Sequence, residues 1–173
     1  ASFQADVGIT GRVITAIGKL DRENSKRVID IRGKIIAPGY IDLHTHCDAA
    51  LLGSNDALKA YLNGVHQGIT TVVIGQDGRH HRKYASQENG KWVKAGQIAK
   101  QMDYIQQHGA GTNVCFLMGH NNIRMMVMGA DHERFSTPTE MEQMAEYVDQ
   151  YMQEGCFGMS LGLEYASGKY SDV

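Results

Sequence analysis

The apolar positions of this chain change rhythm near residue 40. Over residues 4–36 they come in short runs split by glycine and charge. ADVGIT and VITAIG flank Gly11 and predict a β-hairpin; RVIDIRGKIIAPGY then continues β-rich, with a turn at Arg32-Gly33. From residue 40, strand-like runs alternate with helical spacing. Residues 40–46 predict a strand and residues 54–67 a helix. In that helix Leu58, Tyr61, Leu62 and Val65 form one stripe, Ser54 caps the start and Gly68 closes the end. ITTVVIG, residues 69–75, is continuous and β-branched, as suits a strand buried on both faces. Its helix is expected over residues 93–108, with Ala95, Ile98, Ala99, Met102 and Ile105 on one side and Gly109 at the end. NVCFLM predicts a third strand. A third helix follows, with Thr137 as N-cap, Pro138 at the first helical position and Glu140 completing a capping box. Met141, Met144, Ala145, Val148 and Met152 are its expected core stripe, Gly155 its end, and CFGMSLGL a fourth strand.

Repeated βα units imply a parallel sheet with right-handed crossovers. Four strands and three helices after a β-rich start fit the first half of a (β/α)8 TIM barrel, which needs ~250 residues when complete. An open doubly wound sheet shares the pattern.

Composition narrows the setting. The chain has 173 residues and a formal net charge of -2, so nothing draws it to nucleic acid or an anionic membrane. No apolar run approaches the ~18 residues of a membrane span. ASFQADVGIT has neither an initiator Met nor a signal-peptide layout, and reads as an interior cut point. Cys47, Cys115 and Cys156 are too few and scattered for a disulfide framework, which points to a reducing, cytoplasmic setting.

The candidate chemistry sits where strands are expected to end. Alternation puts Asp42, His44 and His46 on one face of the first strand. Two imidazoles at the C-terminal end of a barrel strand suit a metal site, although a His pair spaced by two also arises by chance among eight histidines. Asp77 in GQDG follows the second strand and either joins that site or forms an Asp-Gly turn. His120 in MGHNNIR follows the third strand, as a substrate hydrogen-bond donor or a plain loop histidine. Glu164, Tyr165 and Lys169 follow the fourth; Tyr165 either steadies a substrate oxygen or covers the core. Residues 79–83, RHHRK, lie in a long loop at the same mouth and either recognise a substrate carboxylate or form a solvated charge run. His66, His108 and His132 read as surface residues, and the Met-rich helix stripe as core.

VIDIRGKIIAPGYIDLHTHCD resembles the opening of the amidohydrolase superfamily. GITTVVIGQDG, LMGHNNIR and EGCFGMSLGLEYASGKY look like the N-acyl-D-amino-acid deacylase (D-aminoacylase) group. The resemblance implies residues 1–36 as part of a small β-sandwich domain and residues 37–173 as the first half of a TIM-like, metal-dependent barrel. It implies zinc, as one or two divalent ions, held by His44 and His46 with Asp77 at a position where the best-known members carry Cys. Tyr165 matches a substrate-contacting tyrosine; the proline usually seen near Ser167 is missing. No Lys lies inside GMSLGLEY, which argues against a carbamylated-lysine bridge of the hydantoinase or dihydroorotase type. The implied reaction is hydrolysis of N-acyl-D-amino acids by a metal-activated water. The general base, an Asp, and two further metal histidines are expected beyond Val173, so the partners implied are the small-molecule substrate and the remaining C-terminal part of the barrel. Cyclic-amide or dipeptide hydrolysis, and a non-catalytic amidohydrolase-fold scaffold, are the alternatives.

Overall fold

The computed structural model describes residues 3–56, 60–81, 87–88, 91–92 and 97–171. They divide into two compact units, Ala1–Ala37 and Pro38–Val173.

In the first unit, β1 (Asp6–Thr10) pairs antiparallel with β2 (Val13–Gly18). Gly11 takes the left-handed φ of 63° that the tight connection needs. The expected turn at Arg32-Gly33 forms, with Lys34 N–H donating to Ile31 O over 2.9 Å. Residues 27–36 form no strand: a strand gains its ladder only from a neighbour, and none stands beside these among the described residues.

The second unit is built on a curled parallel sheet in the order β3 (Tyr40–Asp42), β4 (Ile69–Ile74), β7 (Asn113–Gly119), β8 (Gly158–Ser160). A short antiparallel pair, β5 (Gln87–Glu88) and β6 (Lys91–Trp92), lies between β4 and β7 in sequence. β4 occupies an interior position, and its Val72 and Ile74 are buried as the continuous apolar run requires. Around them pack Phe116 and Met118 of β7 with Ile98, Ile123, Met144, Tyr147 and Tyr151 from the helices α3 (Gln97–His108), α4 (His120–Met128) and α5 (Pro138–Gln153).

Several expectations need correction. The helix over residues 54–67 is not continuous. Single turns form at α1 (Asp48–Leu51), before that range, and at α2 (Leu62–Val65), and Tyr61, at φ 47°, is not helical at the start of the latter. Leu62 and Val65 are exposed, and Leu58 lies outside the described residues, as do Val93 and Ala95 of the next helix. The first strand leaves its ladder at Asp42, whose Oδ1 accepts the His44 N–H over 3.1 Å. MGHNNIR is mostly helix, because Gly119 turns the chain directly from β7 into α4. On α5 the core face is Met144, Tyr147 and Tyr151 with Val148 packed beside them, so the expected stripe holds at Met144 and Val148 and fails at Met141, Ala145 and Met152, which are exposed. Tyr151 is admitted because its hydroxyl donates to Gln97 Oε1 over 2.6 Å.

The start of α5 follows the sequence closely. Thr137 Oγ1 accepts from Glu140 N–H, and Glu140 Oε2 accepts from Thr137 N–H. Arg134 adds two charged hydrogen bonds to the Glu140 carboxylate. Thr137→Ala is expected to cost about 1 kcal/mol, read as a lower denaturation midpoint. Arg134, then Thr137, hold the Glu140 carboxyl down at about 2. Its contribution is therefore whole above the usual carboxylate range and disappears as pH falls through about 2. A cap contribution that stays constant down that range would contradict this pairing.

Candidate metal centre

Each donor of the centre comes from the C-terminal end of a parallel strand. His44 and His46 follow β3; Asp77 follows β4. Beyond Asp42 the chain stays beside β4 through Thr45 N–H, which donates to Val73 O over 3.4 Å. Gln76 fastens the same two strand ends, its Nε2 donating to Leu43 O and Val73 O over 2.8 and 3.0 Å.

The two imidazoles meet edge to face with ring centroids 5.3 Å apart. His44 Nε2 lies 3.4 Å from Asp77 Oδ1, and His46 Nε2 lies 3.0 Å from Asp77 Oδ2. One ligand atom from each residue falls within 4.8 Å of the others, and among the described residues this is the group so arranged. Two borderline nitrogen donors and one hard oxygen donor fit a divalent ion of the zinc type. Three protein donors also leave room on the ion for water or substrate.

Asp77 is aimed by its backbone. Its φ is 56°, a left-handed value that Asp tolerates better than most residues. Neighbouring loops hold it there. Gly78 N–H donates to Ser160 Oγ over 3.1 Å, and Ser160 Oγ donates to Gly75 O. Asn121 N–H donates to Gly78 O, and Asn121 Nδ2 to Gly162 O, both over 2.8 Å. Gly162 packs so closely on Asp77 O that a Cβ there would collide with it. The second, third and fourth strand ends are thus knotted beneath one carboxylate.

A cavity of ≈360 Å³ opens beside this group. It is lined by His46, Asp77 and Tyr165, together with Asp48, Gln76, Arg79, His80 and His81 on the same rim. The structure therefore brings Tyr165 to the candidate ligands. His120 is half-buried, with Nδ1 3.2 Å from Asn121 Oδ1, and is not among the lining residues; burial lowers its pKa from the ordinary imidazole value. Glu164 and Lys169 are exposed.

Asp48, Ser160 and Asn121 were not singled out as site residues from the sequence. Asp48 Oδ1 accepts the Gly75 N–H over 3.0 Å, and burial pushes its carboxyl up from the usual range. His80, in the run expected either to recognise a substrate carboxylate or to be solvated, is buried: Gly119 N–H donates to its Nδ1 over 2.7 Å, and Asn122 Nδ2 to its carbonyl over 2.7 Å. Arg82 and Lys83 of that run lie outside the described residues. Of these residues only Asp48 carried a local signal, two positions after the His-x-His pair.

A curled parallel α/β sheet whose adjacent strand ends present two histidines and a carboxylate has the arrangement of a (β/α)8 barrel with a candidate metal site at its C-terminal face. The chain belongs to the amidohydrolase family, whose model matches residues 27–168. The D-aminoacylase of Alcaligenes xylosoxydans xylosoxydans is 31% identical over 171 residues, covering 94% of this chain and 34% of that protein. A dihydroorotase of Bacillus subtilis is 54% identical over 166 residues, covering 96% of this chain and 35% of that protein. The crystal structure of the N-acyl-D-glutamate deacylase of Bordetella bronchiseptica, in complex with zinc and a phosphonate inhibitor that mimics the tetrahedral intermediate, aligns with a TM-score of 0.76 and 28% identity, covering 96% of this chain and 36% of that one. The chain spans about a third of the length of the relatives it matches. No helix among the described residues is long and apolar enough to cross a membrane.

Proposed function

We propose that this chain supplies the N-terminal half of a metal-dependent amidohydrolase that cleaves the linear amide of N-acyl-D-amino acids, with residues 1–36 contributing to a small β-sandwich. The observation that carries the reading is the convergence of His44, His46 and Asp77, whose ligand atoms lie within 4.8 Å of one another. These three hold one or two divalent ions, zinc being the best fit to the donor set. When bound, the ion lowers the pKa of a coordinated water and polarises the amide carbonyl. Asp77 faces both imidazoles at once, one oxygen to each, and so fixes their separation. Tyr165 offers its hydroxyl at the cavity rim to a substrate oxygen. The remaining ligands and the carboxylate base that returns a proton to the leaving amine come from barrel strands outside these residues.

A second reading, hydrolysis of a cyclic amide, is favoured by the 54% identity to a dihydroorotase. Against it, β8 presents Gly158, Met159 and Ser160 and no lysine for a carbamate bridge, and Ser160 is spent on the backbone beneath Asp77. The test is turnover by the full-length protein on N-acetyl-D-amino acids, dihydroorotate and a hydantoin, with metal analysis alongside. Preference for the linear D-substrates and bound zinc are expected. Preference for a ring amide, or no retained metal, would overturn the reading.

A further inference from the structure

Arg79 is the feature of the cavity that metal chemistry leaves unexplained. Its backbone N–H closes a turn onto Gln76 O over 2.9 Å, which turns the residue out of the strand end just after Asp77. The residue is exposed, and its guanidinium carbon sits 5.3 Å from the centre of the Tyr165 ring. Among the described residues the guanidinium has no carboxylate partner, while Arg32 and Arg134 both have one. An arginine stacked on an aromatic face keeps its planar fork oriented, with its outer N–H groups free to donate. Arg79 and Tyr165 line the same cavity as His46 and Asp77. A substrate whose scissile amide lies at the candidate ligands therefore has a preset cation within the same enclosure.

We infer that Arg79, braced by Tyr165, binds the carboxylate of the substrate and sets a preference for anionic over neutral amides. The inference rests on the proposed hydrolytic reading of the site. It assigns the exposed end of the RHHRK run a specificity role, whereas the buried His80 beside it supports the fold. Arg79 acts on binding and does not touch the scissile bond, so its removal is expected in KM and not in kcat.

The test uses the full-length, zinc-loaded protein and a probe that cannot be hydrolysed. A ketomethylene isostere of N-acetyl-D-methionine, with CH2 in place of the amide NH, serves as free acid and as primary carboxamide. Calorimetry is expected to show the acid binding about 10-fold or more tighter than the carboxamide. Arg79→Gln is expected to abolish that preference by weakening the acid alone, with metal content and melting temperature unchanged. Arg79→Lys should restore part of it, since the charge remains and the fork is lost. Tyr165→Leu should weaken the acid to a lesser degree. Equal binding of acid and carboxamide by the parent protein, or an undiminished preference in Arg79→Gln, overturns the inference. Turnover is scored separately: a protein that keeps the Arg79-dependent preference yet cleaves no N-acyl-D-amino acid sinks the deacylase reading and leaves Arg79's role standing.

Discussion

Replacing Asp77 by Ala is expected to lower the metal affinity of the full-length protein by about 100-fold or more, the upper end of what losing even an outer partner of a ligand costs. Asp77 is placed to do two jobs. Its oxygens lie 3.4 and 3.0 Å from the two Nε2 atoms, so on the proposed reading it would hold the ion together with them, and without an ion it faces both imidazoles. The histidine side chains are about 60% exposed and have little packing to hold them in its absence. Hydrolytic activity should fall with the metal. Asp77→Cys makes a sharper comparison. A thiolate is a softer donor, so the variant should shift preference away from manganese or magnesium and toward zinc. It also places a less tolerant side chain at φ 56°, at a cost of about 1 kcal/mol in stability. Elemental analysis and competitive metal titration read both effects; unchanged metal content in Asp77→Ala would remove Asp77 from the centre.

Gly75→Ala should be the most damaging small substitution in the second unit, at about 3 kcal/mol or more, with a melting temperature lower by roughly 10 °C. Two costs combine. Gly75 has φ 84°, which a residue with a Cβ adopts only under strain. The added Cβ would also run into Leu117 O on the adjacent strand, and backbone cannot yield as a flexible side-chain end can. Gly109→Ala is the control. Its φ of 79° carries the same strain, but nothing lies within 4 Å of the added Cβ, so about 1 kcal/mol is expected. Similar midpoints for the two variants would show that the close approach at Gly75 relaxes without penalty.

What could be read from sequence was whatever local chemistry decides. ITTVVI announces a buried strand, TPTE writes out both halves of the cap on α5, and Gly68 and Gly109 mark chain reversals by their left-handed backbone. That His44, His46 and Asp77 lie at one end of the sheet was legible from strand order, because residues after adjacent parallel strands share that end; strand phase was no guide, since the ladder stops at Asp42 and both histidines lie beyond it. Distant partners decided the rest. Gln97, Gln101, Asn121, Asn122 and Arg124 look like surface residues in any periodic count, yet all are buried. Partners far along the chain hold several of them: Arg124 donates to Ser167 O, Asn122 to His80 O and Gln101 to His81 O. A hydrophobicity pattern holds no trace of such bonds. The expected stripe on α5 is displaced in part for the same reason: Met144 and Val148 do pack on the core, but Tyr151 joins them with its hydroxyl donating to Gln97 Oε1.

The order of strands in the parallel sheet repeats their order along the chain. Such a sheet can be laid down as it is synthesised. At ~5–20 residues per second, each strand emerges after its neighbour and docks on an edge already in place. Assembly then has a direction, from β3 toward β8. The knot of loops beneath Asp77 closes only when Ser160 and Gly162 arrive, some eighty residues after the carboxylate they support. Among these four strands, the end that carries His44, His46 and Asp77 is therefore expected to become rigid last, and a ribosome-bound chain halted before β8 is expected to present the three residues on strand ends still free to move.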